Sequence, residues 1–309
     1  MLKAINFPNL GLNFESVGYR ISIFGIEISY YGILLALAII LGVCVILMEA
    51  RYTGQHPEDY LELAIFALPA AIIGARLYYV IFSWSTYKSS LGRIFRFWEG
   101  GYAFYGGLFA AILVIVIFAN LRQMWTAEVL DTATIGLVLG QAVASFGSFF
   151  NREGFGEYTD GLFAMQLPIE ALRIADVTDK MRNHIIEIEG VRFVQVSPLF
   201  FYQFVLCMVL FVVLLIHLRN KEFDGEIFLI FIAVESAFRI WMEGVRTDAL
   251  CLPFFQISVS RVVAVILLLV SVVGLIYNHR MDGKGRMRRI RQKNAVLGVN
   301  EFENLFHNR

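Results

Sequence analysis

Seven stretches of this chain are long and apolar enough to cross a bilayer, and nothing else in the sequence constrains its fold as strongly. A crossing takes about 20 mostly apolar residues to span some 30 Å of hydrocarbon. Lipid offers the backbone no hydrogen bonds, so each stretch must be a helix. The stretches are Ser29–Met48, Leu61–Phe82, Tyr102–Asn120, Ala127–Phe150, Leu199–Leu218, Gly225–Gly244 and Ile257–Tyr277. Composition agrees, with 58% of residues apolar and 17% charged, where soluble domains hold about half and a quarter. The expected fold is an all-α membrane protein, a seven-transmembrane-helix bundle with a small extracytoplasmic segment between the fourth and fifth helices. Gln141, Ser145 and Ser148 interrupt the fourth stretch, which suits a helix packed inside the bundle. A net charge of zero gives no basic field, so no nucleic-acid partner is expected. Cys44, Cys207 and Cys251 show no CxxC or His-linked metal spacing, and Cys44 and Cys207 read as small buried hydrophobes.

Lys and Arg near the span ends set orientation. Arg280, Lys284, Arg286, Arg288, Arg289, Arg291 and Lys293 follow the last span and place the C-terminus in the cytoplasm. Seven crossings then leave the N-terminus outside. Arg219 and Lys221 agree with this orientation, whereas Lys88, Arg93 and Arg96 fall outside, against the rule. Residues 1–28 contain Pro8 and Glu15 and lack a signal-peptide pattern, so they read as an extracytoplasmic or interfacial segment. Residues 29–277 form the membrane domain and residues 278–309 a basic cytoplasmic tail. Within the membrane domain, residues 151–198 are an extracytoplasmic head segment, where Ile185–Val196 around Gly190 predicts a small hairpin or helical cap. No internal repeat of the transporter kind is present.

Charged side chains inside spans cost several kcal/mol and need a partner or a wet cavity. Arg76 stands in the second span, within Gly74-Ala75-Arg76-Leu77-Tyr78-Tyr79. Glu235, Arg239, Glu243 and Arg246 are spaced 4, 4 and 3 and form one stripe on a helix. Two readings are open: a self-neutralising structural stripe, or an inward-facing site whose Arg forks suit a phosphate. Gly-Gly pairs flank Tyr102-Ala103-Phe104-Tyr105, which lets the chain turn sharply and places Tyr105 at the top of the third span. The run Gly147-Ser148-Phe149-Phe150-Asn151-Arg152-Glu153-Gly154-Phe155-Gly156 offers an amide and a carboxylate where a lipid headgroup would lie.

These stretches resemble the bacterial prolipoprotein diacylglyceryl transferases. Tyr30-Tyr31-Gly32 is similar to that family's Trp-Tyr-Gly, and residues 74–79 match its second-span motif. Trp98 through Gly107 resembles its glycine–aromatic–glycine signature, and Phe149-Phe150-Asn151-Arg152-Glu153 its Asn-Phe-x-Asn-x-Glu end. Gly225 through Leu229 and Arg239 through Asp248 resemble its sixth span. The resemblance implies a multi-pass protein of the bacterial inner membrane. It further implies transfer of the diacylglyceryl group of phosphatidylglycerol to the cysteine thiol of a prolipoprotein signal peptide, in lipoprotein maturation. Phosphatidylglycerol, prolipoprotein signal peptides and membrane lipids are the implied partners, and no metal or organic cofactor is implied. Arg239, Tyr105 and Glu243 are then the catalytic candidates, with Glu243 orienting Arg239. Arg76, Tyr31, Ser145, Asn151, Glu153 and Arg246 are the substrate-binding candidates.

Departures cluster at site positions. The family's Gly-Arg-x-Gly-Asn run stands here as Ala144-Ser145-Phe146-Gly147-Ser148, so a hydroxyl replaces a guanidinium. The family's His-Pro is Ser197-Pro198, its Tyr-Glu is Tyr202-Gln203, and Tyr105 stands where members often carry His. Glu235 adds an acid beside Arg239, and Arg261 replaces a Gln. Two rivals to a working transferase follow: a non-catalytic paralogue that binds phospholipid or signal peptide, and a small-anion transporter that uses the stripe.

Overall fold

The computed structural model describes residues 4–23, 26–88, 90–97, 100–172, 177–246 and 258–281. Trp98, Glu99, Thr247, Asp248, Cys251, Ile257 and the basic residues from Lys284 onward lie outside the described residues.

Helices dominate. In chain order they are α1 (Tyr30–Tyr52), α2 (Pro57–Phe82), the short α3 (Trp84–Tyr87), α4 (Phe104–Leu121), α5 (Thr126–Asn151), the short α6 (Asp179–Arg182), α7 (Leu199–Leu218), α8 (Glu226–Met242) and α9 (Val259–Met281). Six of them, α1, α2, α4, α5, α7 and α9, are long and apolar enough to cross a membrane, whereas α8 has 17 residues. Local chemistry sets the ends. The Ser29 hydroxyl caps α1 by accepting from the Gly32 N–H at 3.1 Å. Pro57 opens α2 at a position where no N–H is needed. Arg152, at φ 52°, stops α5 in the left-handed region.

Of the apolar window in each helix, 11% is buried in α1 and α2 but 39% in α5, so α5 is the hub and α1 and α2 face outward. Small residues allow the closest contacts. Ala38 and Gly42 of α1 meet Gly136 and Gly140 of α5, where a Cβ on Gly42 would stand 2.8 Å from the Gly136 carbonyl oxygen. Gly74 of α2 and Gly106 of α4 touch backbone to backbone, and a Cβ on Gly74 would lie 2.6 Å from the Gly106 carbonyl oxygen. This is the close approach that membrane helices use in place of a hydrophobic driving force. Gly106→Val is therefore expected to push α2 from α4 and cost about 1–3 kcal/mol, read as an earlier unfolding transition in detergent. Cys207 is fully buried as expected, but Cys44 is exposed, because α1 turns most of its apolar window outward among the described residues.

The head segment differs from expectation in form. Strands β1 (Ile5–Phe7), β2 (Leu12–Phe14), β5 (Met165–Pro168), β6 (Ile186–Ile188) and β7 (Val191–Val196) form one antiparallel sheet in the order β2-β1-β5-β7-β6. A second hairpin joins β3 (Arg20–Ile23) to β4 (Ile26–Ser29) and runs directly into α1. The predicted turn at Gly190 is a hairpin: Glu189 and Gly190 both have positive φ between the paired Ile188 and Val191, as a tight mirror-type turn requires. Asn6 pairs with Gln166, so the N-terminal strands and residues 151–198 build one layer. Four long helices, an even number, separate those two partners.

α8 runs alongside α5. Its start is held by Asp131 near the beginning of α5, whose carboxylate accepts from the N–H groups of Gly225 (2.8 Å) and Phe228 (3.0 Å) and pairs with Lys221 (3.0 Å). Burial opposes the charge on Lys221, but Asp131 and Asp224 hold its pKa above the ordinary value. Past the end of α8, Arg246 bridges Gly156, and the Val245 carbonyl accepts from the Glu157 N–H at 2.8 Å. At the opposite end of α8, close to its start in sequence, Arg219 reaches back to Glu49 at the end of α1 through two hydrogen bonds of 2.8 and 3.1 Å.

Candidate active site

The inner face of α8 carries Glu235, Ser236 and Arg239, all buried. Glu235 is the hub. It accepts from the Gln141 amide of α5 at 2.9 Å, from the Gln203 amide of α7 at 3.2 Å, and from Arg239 one turn along at 3.3 Å. Gln203 also donates to the Cys207 sulfur at 3.2 Å. The Arg239 guanidinium lies 4.9 Å from the centre of the Phe104 ring. Tyr105, next in sequence, is 2% exposed and stands beside Ser236 within electrostatic reach of Arg239, Glu235 and Glu243.

Four buried polar atoms around this hub have no hydrogen-bond partner among the described residues: the Tyr105 hydroxyl, Arg239 Nε, and the Oε1 atoms of Gln141 and Gln203. Each such atom costs about 1–3 kcal/mol, and native interiors rarely leave one open. Four of the six such atoms among the described residues therefore belong to side chains around this one carboxylate.

A second group lies beyond the first. Glu243 is buried, accepts a hydrogen bond from the Ser258 hydroxyl, and lies 4.0 Å from the Arg246 guanidinium. The stripe is thus divided into two pairs, Glu235 with Arg239 and Glu243 with Arg246. The expectation that Glu243 orients Arg239 is corrected accordingly: both acids lie four residues from Arg239, but it is Glu235 that the guanidinium meets at 3.3 Å, while Glu243 is turned to Ser258 and Arg246. Gly156 seats this end of α8, since a Cβ there would come 2.9 Å from Val245 Cγ1 and 3.0 Å from Ser197 Cβ. A cavity of about 540 Å³ opens alongside, between Trp241, Tyr202, Ser197 and Lys180.

Arg76 does something other than expected. Its Nε donates to the Ile94 carbonyl (3.1 Å), one terminal nitrogen to Gly100 and Gly101 (3.2 Å to the latter), and the other to Arg93 (2.7 Å) and Arg96 (3.2 Å). All five N–H groups therefore hold backbone carbonyls of the loop between α3 and α4, and the side chain is 1% exposed. A loop lacking a helical ladder leaves carbonyls that a rigid fork of five donors satisfies, so in this arrangement Arg76 is a loop clamp. Arg76 and Arg239 share no partner, yet both touch the Gly100–Phe104 stretch.

The remaining expected residues gather at the end of α5. The Tyr31 ring packs on Gly147 and lies within electrostatic reach of Glu153 and Tyr102. The Asn151 amide donates to Glu153 at 2.9 Å on the surface. Ser145 is one turn from Gln141, and its hydroxyl returns to the Ala142 carbonyl at 2.7 Å. The sequence places Glu235 in the charged stripe, Gln141 in the fourth span and Gln203 at a departure from the family pattern, and none of the three is among the candidate site residues. Their separations of 94 and 32 residues in the chain hid the contact. The usable signal was an uncompensated acid in a span, which obliges polar partners on other helices.

Residues 19–277 match the family model described as prolipoprotein diacylglyceryl transferase. A phosphatidylglycerol–prolipoprotein diacylglyceryl transferase of Listeria monocytogenes serotype 4b is 34% identical over 249 residues, covering 80% of this chain and 84% of that protein. Proteins of the same name from Lactiplantibacillus plantarum and Clostridioides difficile are 32% and 33% identical, over 82% and 80% of this chain and 86% and 87% of their own lengths. With its apolar helices, such a chain is a multi-pass bacterial membrane protein. It belongs to the prolipoprotein diacylglyceryl transferase family.

Proposed function

We propose that this chain transfers the diacylglyceryl group of phosphatidylglycerol to the cysteine thiol of a prolipoprotein signal peptide. The observation that carries the reading is the buried Arg239, tethered by Glu235, with its Nε open and with Tyr105 within electrostatic reach. In the reaction the thiolate sulfur attacks the glyceryl carbon that carries the phosphate. A C–S bond forms, the C–O bond breaks, and its electron pair leaves on glycerol phosphate. Charge develops on that phosphate, and a preorganised guanidinium in a dry site stabilises it. Glu235 and the two glutamine amides fix where the guanidinium points, so little reorganisation accompanies the step. Tyr105 supplies a hydroxyl at the same place, able to donate to the leaving phosphate. Tyr31, Asn151, Glu153 and Ser145 form the headgroup side, and Glu243 with Arg246 forms the rim toward the head sheet. Arg76 acts through the loop that it clamps.

The same reading gives seven crossings in the inner membrane, N-terminus outside and C-terminus cytoplasmic, with residues 1–28 and 151–198 on the outer side and residues 278–309 within. Support comes from α8, whose start is held near the start of α5 and whose end lies past the end of α5. At about 1.5 Å per residue its 17 residues reach some 25 Å, enough for a sheltered helix.

Purified protein, phosphatidylglycerol and a lipobox peptide, with mass spectrometry for the added diacylglyceryl mass, test the activity. Product supports the transferase. Its absence, under conditions where a standard enzyme works, leaves the phospholipid-binding paralogue. Ser145→Arg is expected to raise the rate by about a hundredfold, the usual worth of one charge-assisted contact in such a site. An unchanged rate would show that the missing guanidinium does not limit this chain.

A further inference from the structure

We infer that Glu235 and Gln203 form one exchangeable pair: a single carboxylate positions Arg239, and either α8 or α7 can carry it. The role given to Arg239 rests on the transferase reading, whereas the pairing itself does not.

A carboxylate only accepts hydrogen bonds, so Gln203 must turn its NH2 group to Glu235 Oε2, at 3.2 Å. The same nitrogen donates to the Cys207 sulfur at 3.2 Å. Glu235 Oε1 accepts from the Gln141 amide at 2.9 Å and from Arg239 at 3.3 Å. Suppose the acid and the amide trade places while every side chain stays where it stands. An NH2 group then replaces Oε2, and an oxygen replaces the Gln203 nitrogen. The bond across α7 and α8 runs the other way, the Cys207 thiol donates where it accepted, and the amide oxygen at position 235 keeps both of its donors. Each of these contacts survives the trade.

Charge limits the hub to one such acid. Among the described residues, Gln141, Gln203, Cys207 and Tyr105 surround one acidic side chain, Glu235, and one basic side chain, Arg239. Glu235 is 2% exposed, and Gln203 and Arg239 are each 8% exposed, so water screens little of their charge. A second acid, or none, leaves a buried charge without a counterpart, which is strongly destabilising. Glu243 is no substitute, since it is turned to Ser258 and Arg246.

Gln203 stands where the family's Tyr-Glu has its acid, and Glu235 is the acid added beside Arg239. Because the two side chains touch, these departures are one exchange seen twice. The acid has passed from α7 to α8, and this side of the site keeps its full charge.

A double-mutant cycle of Glu235→Gln, Gln203→Glu and the two together, on the whole chain in detergent, tests the pair. Unfolding transitions are measured first. Transfer is then measured at saturating phosphatidylglycerol and lipobox peptide, below all the transitions. Each single change should lower the transition by several degrees and kcat by about a hundredfold, the usual effect of misplacing a catalytic group by an ångström. The double variant should regain the parent's transition and a kcat within about threefold of the parent. Losses that simply add in the double variant overturn the exchange, and so does a Gln203→Glu protein that behaves as the parent. A double variant that regains the transition but not kcat overturns the positioning of Arg239. Should a single variant fail to fold, a double variant that folds supports the pair, and one that does not overturns it. A parent that makes no product fails as a transferase, and the unfolding cycle then decides the pair by itself.

Discussion

Arg239→Ala is expected to lower diacylglyceryl transfer by about 10²–10³-fold while the protein remains folded in detergent. The asymmetry comes from the hub. Without the guanidinium, Glu235 still accepts from the Gln141 and Gln203 amides at 2.9 and 3.2 Å, so its carboxylate stays partly satisfied. Glu235→Ala is the harsher change structurally. It leaves a buried guanidinium without its carboxylate and two amides without their acceptor, a loss on the order of 3–5 kcal/mol. Arg239→Lys keeps the charge but not the planar fork, and should recover little of the rate. Initial rates by mass spectrometry, read beside unfolding transitions in the same detergent, separate the two effects. An Arg239→Ala protein with the parent rate would make the stripe purely structural.

Asp131→Ala should be as destabilising as Glu235→Ala, costing about 3–5 kcal/mol. Its carboxylate is fully buried and meets two backbone N–H groups at the start of α8 as well as the Lys221 ammonium. Lys221 keeps a second partner in Asp224 at 3.1 Å, so the loss falls mainly on the two orphaned N–H groups. Asp131→Asn retains one acceptor and should cost less. Chemical unfolding in detergent measures both, and transfer should fall with stability because α8 carries Arg239. An Asp131→Ala protein that unfolds with the parent would mean that α8 is held by packing alone.

The helices were legible because hydrocarbon imposes a length on them. Leu199–Leu218 has the same bounds in sequence and structure, while α1 runs on to Tyr52, past Glu49, because that acid is paired with Arg219 and no longer ends the helix. The sheet was only partly legible. β7, six residues long, announces itself by alternation after Gly190 and marks β6 as its hairpin partner, but β1 and β2 are three residues each with no longer strand beside them in sequence to register a period. At the site, the charged positions could be read from the cost of burying them, and their partners could not. Arg76 and Arg239 looked alike as intramembrane guanidinium groups. One closes five carbonyls of its own chain and the other leaves a donor open, a difference that only the fold around them creates.

The shared sheet has a consequence for biosynthesis. Asn6 emerges from the ribosome long before Gln166, the residue it pairs with, and at about 5–20 residues per second the delay is roughly eight to thirty seconds. Throughout that interval the strand holding Ile5 and Phe7 has β2 on one edge, and the edge that will meet β5 stays open. The pairing closes only if an even number of the intervening helices cross, since a single helix left uninserted puts the two partners on opposite sides of the bilayer. The head sheet can therefore close only when both of its parts stand on one side of the bilayer, and its last strand is complete before α7, α8 and α9 are made.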